Sequence, residues 1–117
     1  MIEIINGNTY ERLSPCLHRI AGYIMLLYCP GCEDAHQISI DHPNNNQAKW
    51  GWNGDVEKPT FTPSILVGPR HTNAGFKDIR CHSFIRDGVW DFLGDCTHDL
   101  KGQQVPLQPI PREEEGA

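Results

Sequence analysis

The stretch "YCPGCEDAH", residues 28–36, sets two cysteines around a Pro-Gly pair, with a histidine four residues after the second. Two thiolates at this spacing can converge on one tetrahedral ion, while the amides of the turn between them face the sulfurs. The pair supplies two of the four ligands a closed zinc site needs. The others must come from Cys16, Cys81, Cys96 or the six histidines. The favoured set is Cys29, Cys32, Cys81 and His98, with His82, His36 and Cys96 as replacements for either of the last two. It joins a thiol-bearing turn to a second hairpin, a frequent layout for structural zinc. A three-ligand site with an open water position would make the zinc catalytic, but ligation dominated by cysteine favours a closed structural site. A redox Cys-X-X-Cys normally opens a helix within a βαβ unit, where the helix N-terminus lowers a thiol pKa. Here "EDAHQISID" reads as a strand, so zinc is preferred to thiol redox chemistry and to inert thiols. Cys16 reads as a buried apolar residue, and His18, His42 and His71, in polar contexts, as ordinary surface residues.

A second chemistry is open to "RCHSFIRDG", residues 80–88. On a strand Cys81, Ser83 and Ile85 share one face, while His82, Phe84 and Arg86 share the other. A histidine turned away from a zinc ligand can act as general base toward a hydroxyl such as that of Ser64. The plainer alternative is a histidine at the core edge, bonded to a backbone carbonyl. In "WGWNGDVEKPTFTPSI", residues 50–65, Trp50 and Trp52 alternate around Gly51, Asn53-Gly54 marks a turn, and Asp55 follows. The plain reading has the tryptophans capping the core and Asp55 tying down a loop. The sharper reading puts Asp55, Thr60 or Ser64 in a polar pocket walled by indoles.

Strands and turns must hold these groups in place. "IAGYIMLLY" (20–28) is rich in β-formers, "CPGC" turns the chain, and "HQISID" (36–41) alternates as a returning strand. "TFTPSILVG" (60–68) is strand-like, with Pro63 restricting it to an edge or a bulge. The clearest element is a hairpin through 79–95 turned at Asp87-Gly88. Within 1–19, "TYERLSPCLHRI" could hold one short helix, and 42–55 and 70–78 read as loops. The sum is a mainly β fold with little helix: a small single-domain zinc-knuckle β-sandwich or partly open barrel over 1–108, then a flexible acidic tail at 109–117.

A chain of 117 residues with 38% hydrophobic residues fits one domain with a sufficient but not generous core, which a metal cross-link would help. Ten basic against fifteen acidic residues, a net charge of −5, argue against a surface that tracks nucleic-acid phosphates. The longest apolar run, "YIMLLY", is too short to span a bilayer. "MIEIINGN" has no basic segment leading into an apolar one, so no signal peptide is expected. The expected location is the cytoplasm, where five cysteines read as ligands or free thiols sooner than as disulfides.

Taken together, C-P-G-C, W-x-W-N-G-D, P-T-F-x-P-S-I, C-H-S-F-I and D-C-T-H with G-Q-x-V resemble a family of small phage and prophage proteins of unknown function. These are often called ammonia monooxygenases, yet nothing here resembles a copper or di-iron membrane site. The resemblance spans about Cys29 to Leu107. It implies a phage or bacterial origin and a zinc-knuckle β-domain. Similar proteins stand beside bacterial ubiquitin-like conjugation genes, which implies a peptidase or deconjugase role. There Ser64 matches the serine of P-S-I, and His82 matches the histidine before Phe-Ile. Aligned on I-R-D-G, Cys81 falls where that branch has serine and Ile79 where it has cysteine.

Two functions are therefore expected. The first is a non-enzymatic, zinc-stabilised accessory module that binds a host or phage protein. The alternative is a serine-type hydrolase acting on a peptide or ester bond, with Ser64 as nucleophile, His82 as base and Asp55 as orienting group. Either has a protein partner and involves neither nucleic acid nor membrane.

Overall fold

The computed structural model describes residues 2–41, 48–71 and 78–111, without the side chains at 69–71 and 78–79. His42, the side chain of His71 and the end of the expected tail (112–117) thus lie outside the described residues. The described chain is all β: ten strands in two five-stranded antiparallel sheets, with no helix among the described residues. Neither sheet closes on itself. The chain divides into two compact units, Met1–Lys49 with Leu107–Ala117, and Trp50–Pro106.

The first unit is a meander of β1 (Ile2–Ile5), β2 (Asn8–Ser14), β3 (Leu17–Ile20), β4 (Ile24–Cys29) and β5 (Asp34–Ser39), each paired with the next. Where a short helix was expected, residues 9–20 instead form β2 and β3. The cause is local turn chemistry: Asn6 (φ 52°) and Gly7 (φ 82°) make a two-residue hairpin, and Pro15 bars a helix running through 9–20. The expected 20–28 strand is likewise cut short by a turn at Ala21-Gly22, both at positive φ. On β4, Met25, Leu27 and Cys29 are buried and alternate with half-buried neighbours. That places Cys29 on the core side of its strand, with "CPGC" turning into β5 as expected.

The second unit orders its strands β10-β9-β8-β7-β6. They are β6 (Gly51–Trp52), β7 (Phe61–His71), β8 (Asp78–Arg86), β9 (Val89–Phe92) and β10 (Gln104–Pro106). The β8–β9 hairpin turns at Asp87 (φ 51°) and Gly88 (φ 75°), as the Asp-Gly pair predicts. A side chain at Gly88 would also sit 3.2 Å from the Lys58 Cα, so glycine is required there twice over. The core gathers Phe61, Ile65, Ile85, Trp90 and Phe92, each at most 3% exposed. Strand β10 escapes sequence reading: three residues ending in proline give no periodic signal.

Candidate active site

Strand β8 separates two chemistries by alternation. Cys81, Ser83 and Ile85 are buried on one face, while His82 and Phe84 are half-buried and Arg86 exposed on the other. Its partner β7 pairs Phe61 with Ile85 and next Ile65 with Ser83, so four steps along β7 match only two along β8. The surplus forms a bulge at Thr62–Ser64, where Pro63, which has no N–H, costs the ladder nothing. The bulge turns Ser64 toward His82, and the Trp50 indole N–H fixes it by donating to the Ser64 carbonyl at 3.2 Å. The Ser64 Oγ then lies 3.1 Å from His82 Nε2.

On the far side of the ring, His82 Nδ1 lies 3.3 Å from Asp95 Oδ2. Asp95 is held there because the segment after β9 is laced to β8. The Leu93 N–H donates to the His82 carbonyl at 2.9 Å, and the Thr97 N–H donates to that of Arg80 at 2.9 Å. The Cys96 thiol accepts the His82 N–H at 3.3 Å and donates to the His82 carbonyl at 3.1 Å. With Nδ1–H given to the carboxylate, Nε2 keeps its lone pair for the Ser64 hydroxyl. The His82 side chain is 28% exposed and that of Asp95 47%, so water reaches this contact and screens it.

Of the three residues expected to share this chemistry, Ser64 and His82 meet, and Asp55 is occupied elsewhere. Its carboxylate accepts the N–H groups of Glu57 at 2.9 Å and Lys58 at 3.0 Å. These bonds, with Lys58 the stronger influence, hold its pKa below the ordinary carboxylate value. Its carbonyl accepts the Trp52 indole N–H at 3.3 Å. Among the described residues no hydrogen bond joins Asp55 to Ser64 or His82; it ties down the 53–60 loop. Asp95 is the carboxylate that sequence reasoning missed. Its signal was there in "DCTH", immediately before a residue weighed only as a ligand.

The thiols form two groups, and all five are free of disulfides. In the first unit the ligand atoms of Cys29, Cys32 and His36 lie within 4.8 Å of one another, and the Cys32 N–H points at Cys29 Sγ at 3.4 Å. An amide aimed at a sulfur is what a metal-binding knuckle requires. In the second unit Cys81, Cys96 and His98 are gathered equally closely, with His98 Nε2 3.4 Å from Cys81 Sγ. Both groups could hold a metal ion. His98 Nδ1, however, accepts the Leu100 N–H at 3.2 Å, so an ion on Nε2 would require that contact to open and Nδ1 to take the proton. His82 belongs to neither group, consistent with its place on the opposite face from Cys81. Cys16 is half-buried and donates to the Leu107 carbonyl at 3.7 Å. His18, expected at the surface, is only 5% exposed, because its strand turns it inward beneath the Tyr10 hydroxyl at 2.6 Å.

No curated protein and no solved structure matches the chain. The sequence profile of one family does, over residues 7–93 of 117, a span that includes Ser64 and His82 and ends two residues before Asp95. That family carries the description "Bacterial ubiquitination-like system serine protease (BubE)". With about three quarters of its length matched, the chain belongs to the BubE family.

Proposed function

We propose that this protein is a serine hydrolase of a bacterial ubiquitination-like system, cleaving a peptide or ester bond at a protein modifier of the ubiquitin kind. The observation that carries this reading is His82 standing between Ser64 Oγ at 3.1 Å and Asp95 Oδ2 at 3.3 Å. The binding module placed first among the sequence expectations gives way, since the family description and this relay both favour the alternative.

In the proposed reaction Ser64 Oγ attacks the scissile carbonyl carbon and passes its proton to His82 Nε2. Asp95 stabilises the imidazolium so formed and holds the ring in its tautomer. As the tetrahedral adduct collapses, His82 returns the proton to the departing nitrogen or oxygen and leaves an acyl-serine. Water repeats the sequence and frees the serine. The protein works in the bacterial cytoplasm on this reading, its partner being the modifier.

We also read the metal as zinc with a structural role. The single ion shared by Cys29, Cys32, Cys81 and His98 is retained from the sequence as a proposal, with His36 and Cys96 as the competing donors. Zinc held by these side chains would brace backbone; the hydrolytic steps use Ser64, His82 and Asp95.

The test is a ubiquitin-like protein of such a system carrying a reporter fused to its C-terminus. The wild-type protein should release the reporter, and Ser64→Ala should lower the rate about a thousandfold or more. Absence of release by the wild type, or an unchanged rate in Ser64→Ala, would overturn the proposal.

A further inference from the structure

Beside the nucleophile, β7 has one backbone position whose hydrogen-bonding groups face away from the sheet. His82 spends both its N–H and its C=O on the β9 side, on Cys96 Sγ and the Leu93 N–H. Antiparallel pairs alternate between bonded and non-bonded positions, so Leu66, directly across from His82, belongs to a non-bonded pair. The N–H and C=O of Leu66 therefore point to the opposite edge of β7. On that edge β6 pairs only with Phe61 and Thr62, and the Trp50 indole takes the Ser64 carbonyl. Among the described residues of this unit, Leu66 is the first position past Ser64 to offer a free donor and acceptor there. Its side chain, 55% exposed, lies on the same face as His82.

We propose that the Leu66 main chain is a substrate subsite, pairing as a short β-bridge with an extended peptide segment and so laying the scissile bond over Ser64. This deepens the hydrolase reading and rests on it. The occupant follows from the size of the edge. It is bounded by the Trp50 indole on one side and, on the other, by the register shift after Val67, where Gly68 sits at φ 92°. One exposed donor–acceptor pair is too little for a second sheet to dock and enough to orient a peptide. Leu66 lies two residues from Ser64, about 7 Å along the strand. The substrate residue it pairs with is thus about two residues from the bond cleaved. The substrate class is an extended, unpaired chain end, such as the C-terminal tail of the modifier, in preference to a folded loop.

Two variants separate backbone from side chain. Leu66→Pro deletes the outward N–H, and the β7–β8 ladder does not use that group; Leu66→Ala keeps it. The probe is a fluorogenic peptide ending in the C-terminal residues of a bacterial ubiquitin-like protein. Leu66→Pro should lower kcat/KM at least about tenfold and Leu66→Ala no more than about threefold. Both should acylate on p-nitrophenyl acetate as the wild type does, because that ester has no peptide backbone to pair. Should Leu66→Pro fail to fold, methylating the peptide's amide nitrogens one at a time decides the matter on the wild-type enzyme. Losses confined to alternate positions support a paired strand. Peptide cleavage by folded Leu66→Pro within twofold of wild type, or methylation losses without that alternation, would overturn the subsite and leave the hydrolase standing. A wild type inert toward both ester and peptide would remove the hydrolase reading and the subsite with it.

Discussion

In the first unit the chain gathers its reactive groups on one side of its strands: Cys29 on β4 and His36 on β5 both face the core, flanking the turn that carries Cys32. In the second unit β8 spends alternate residues on opposite purposes. Its core face carries Cys81 near Cys96 and His98, and its outer face carries His82 with Ser64 and Asp95. The two histidines show what the difference means. His36 is 4% exposed and lies among thiols, where a neutral imidazole can serve as a ligand. The half-buried His82 has a hydroxyl on one nitrogen and a carboxylate on the other, the setting of a base. A single step along β8 separates Cys81, in a group that could hold a metal ion, from His82, which meets a hydroxyl and a carboxylate.

The largest effect should come from breaking the knuckle. Structural zinc contributes on the order of 10–16 kcal/mol of apparent binding free energy, comparable to the whole stability of a small domain. Cys29→Ser, Cys32→Ser or treatment with a chelator is therefore expected to abolish the cooperative thermal transition seen by circular dichroism, whereas Ser64→Ala should melt as wild type does. Near-stoichiometric zinc in freshly purified protein accompanies this expectation. A metal-free protein with an unaltered melt would contradict a structural zinc.

Next in size is the contrast between two aspartates. Asp95→Asn should lower kcat about 10- to 1,000-fold with KM little changed, because the His82 tautomer loses its acceptor; partial exposure of the pair keeps this below the loss for a fully buried triad. Asp55→Asn should leave kcat within a small factor of wild type and lower Tm slightly through the 53–60 loop. Equal kinetic losses from both substitutions would mean that Asp55 acts on the site after all.

These contrasts also mark how far the sequence could be read. The CPGC turn, the Asp-Gly hairpin and the alternation of 81–86 are local signals, and each led to the right element. So did Pro63, which demanded an edge or a bulge and sits in the bulge that presents Ser64. That His82 faces away from Cys81 was legible because a strand face is fixed by period two; that Ser64 meets it depends on the bulge at Thr62–Ser64. Asp95 was not legible, because its approach to His82 depends on the lacing of residues 93–97 back onto β8, a set of bonds with no periodic trace. The β2–β3 region was misread for the opposite reason: its apolar spacing suits a short helix, and the Asn6-Gly7 hairpin and Pro15 decide otherwise.

The smallest expected effect is a pH slope in the first unit. Burial, reinforced by Arg12, lowers the pKa of His18 from 6.5. The unfolded chain then binds more protons between the folded and unfolded values, so stability is complete above pH 6.5 and declines as pH falls through the folded pKa. Denaturant midpoints measured between pH 7.5 and about 5 should show this decline in the wild type and a shallower one in His18→Gln. Identical slopes would show that His18 carries no such linkage.

Whether His82 activates Ser64 as a nucleophile can be read by labelling with a fluorophosphonate and locating the adduct by mass spectrometry. One adduct per chain is expected, on Ser64, formed by the wild type and lost in His82→Ala while the fold persists. An adduct on another residue, none at all, or equal labelling without the histidine would contradict that expectation.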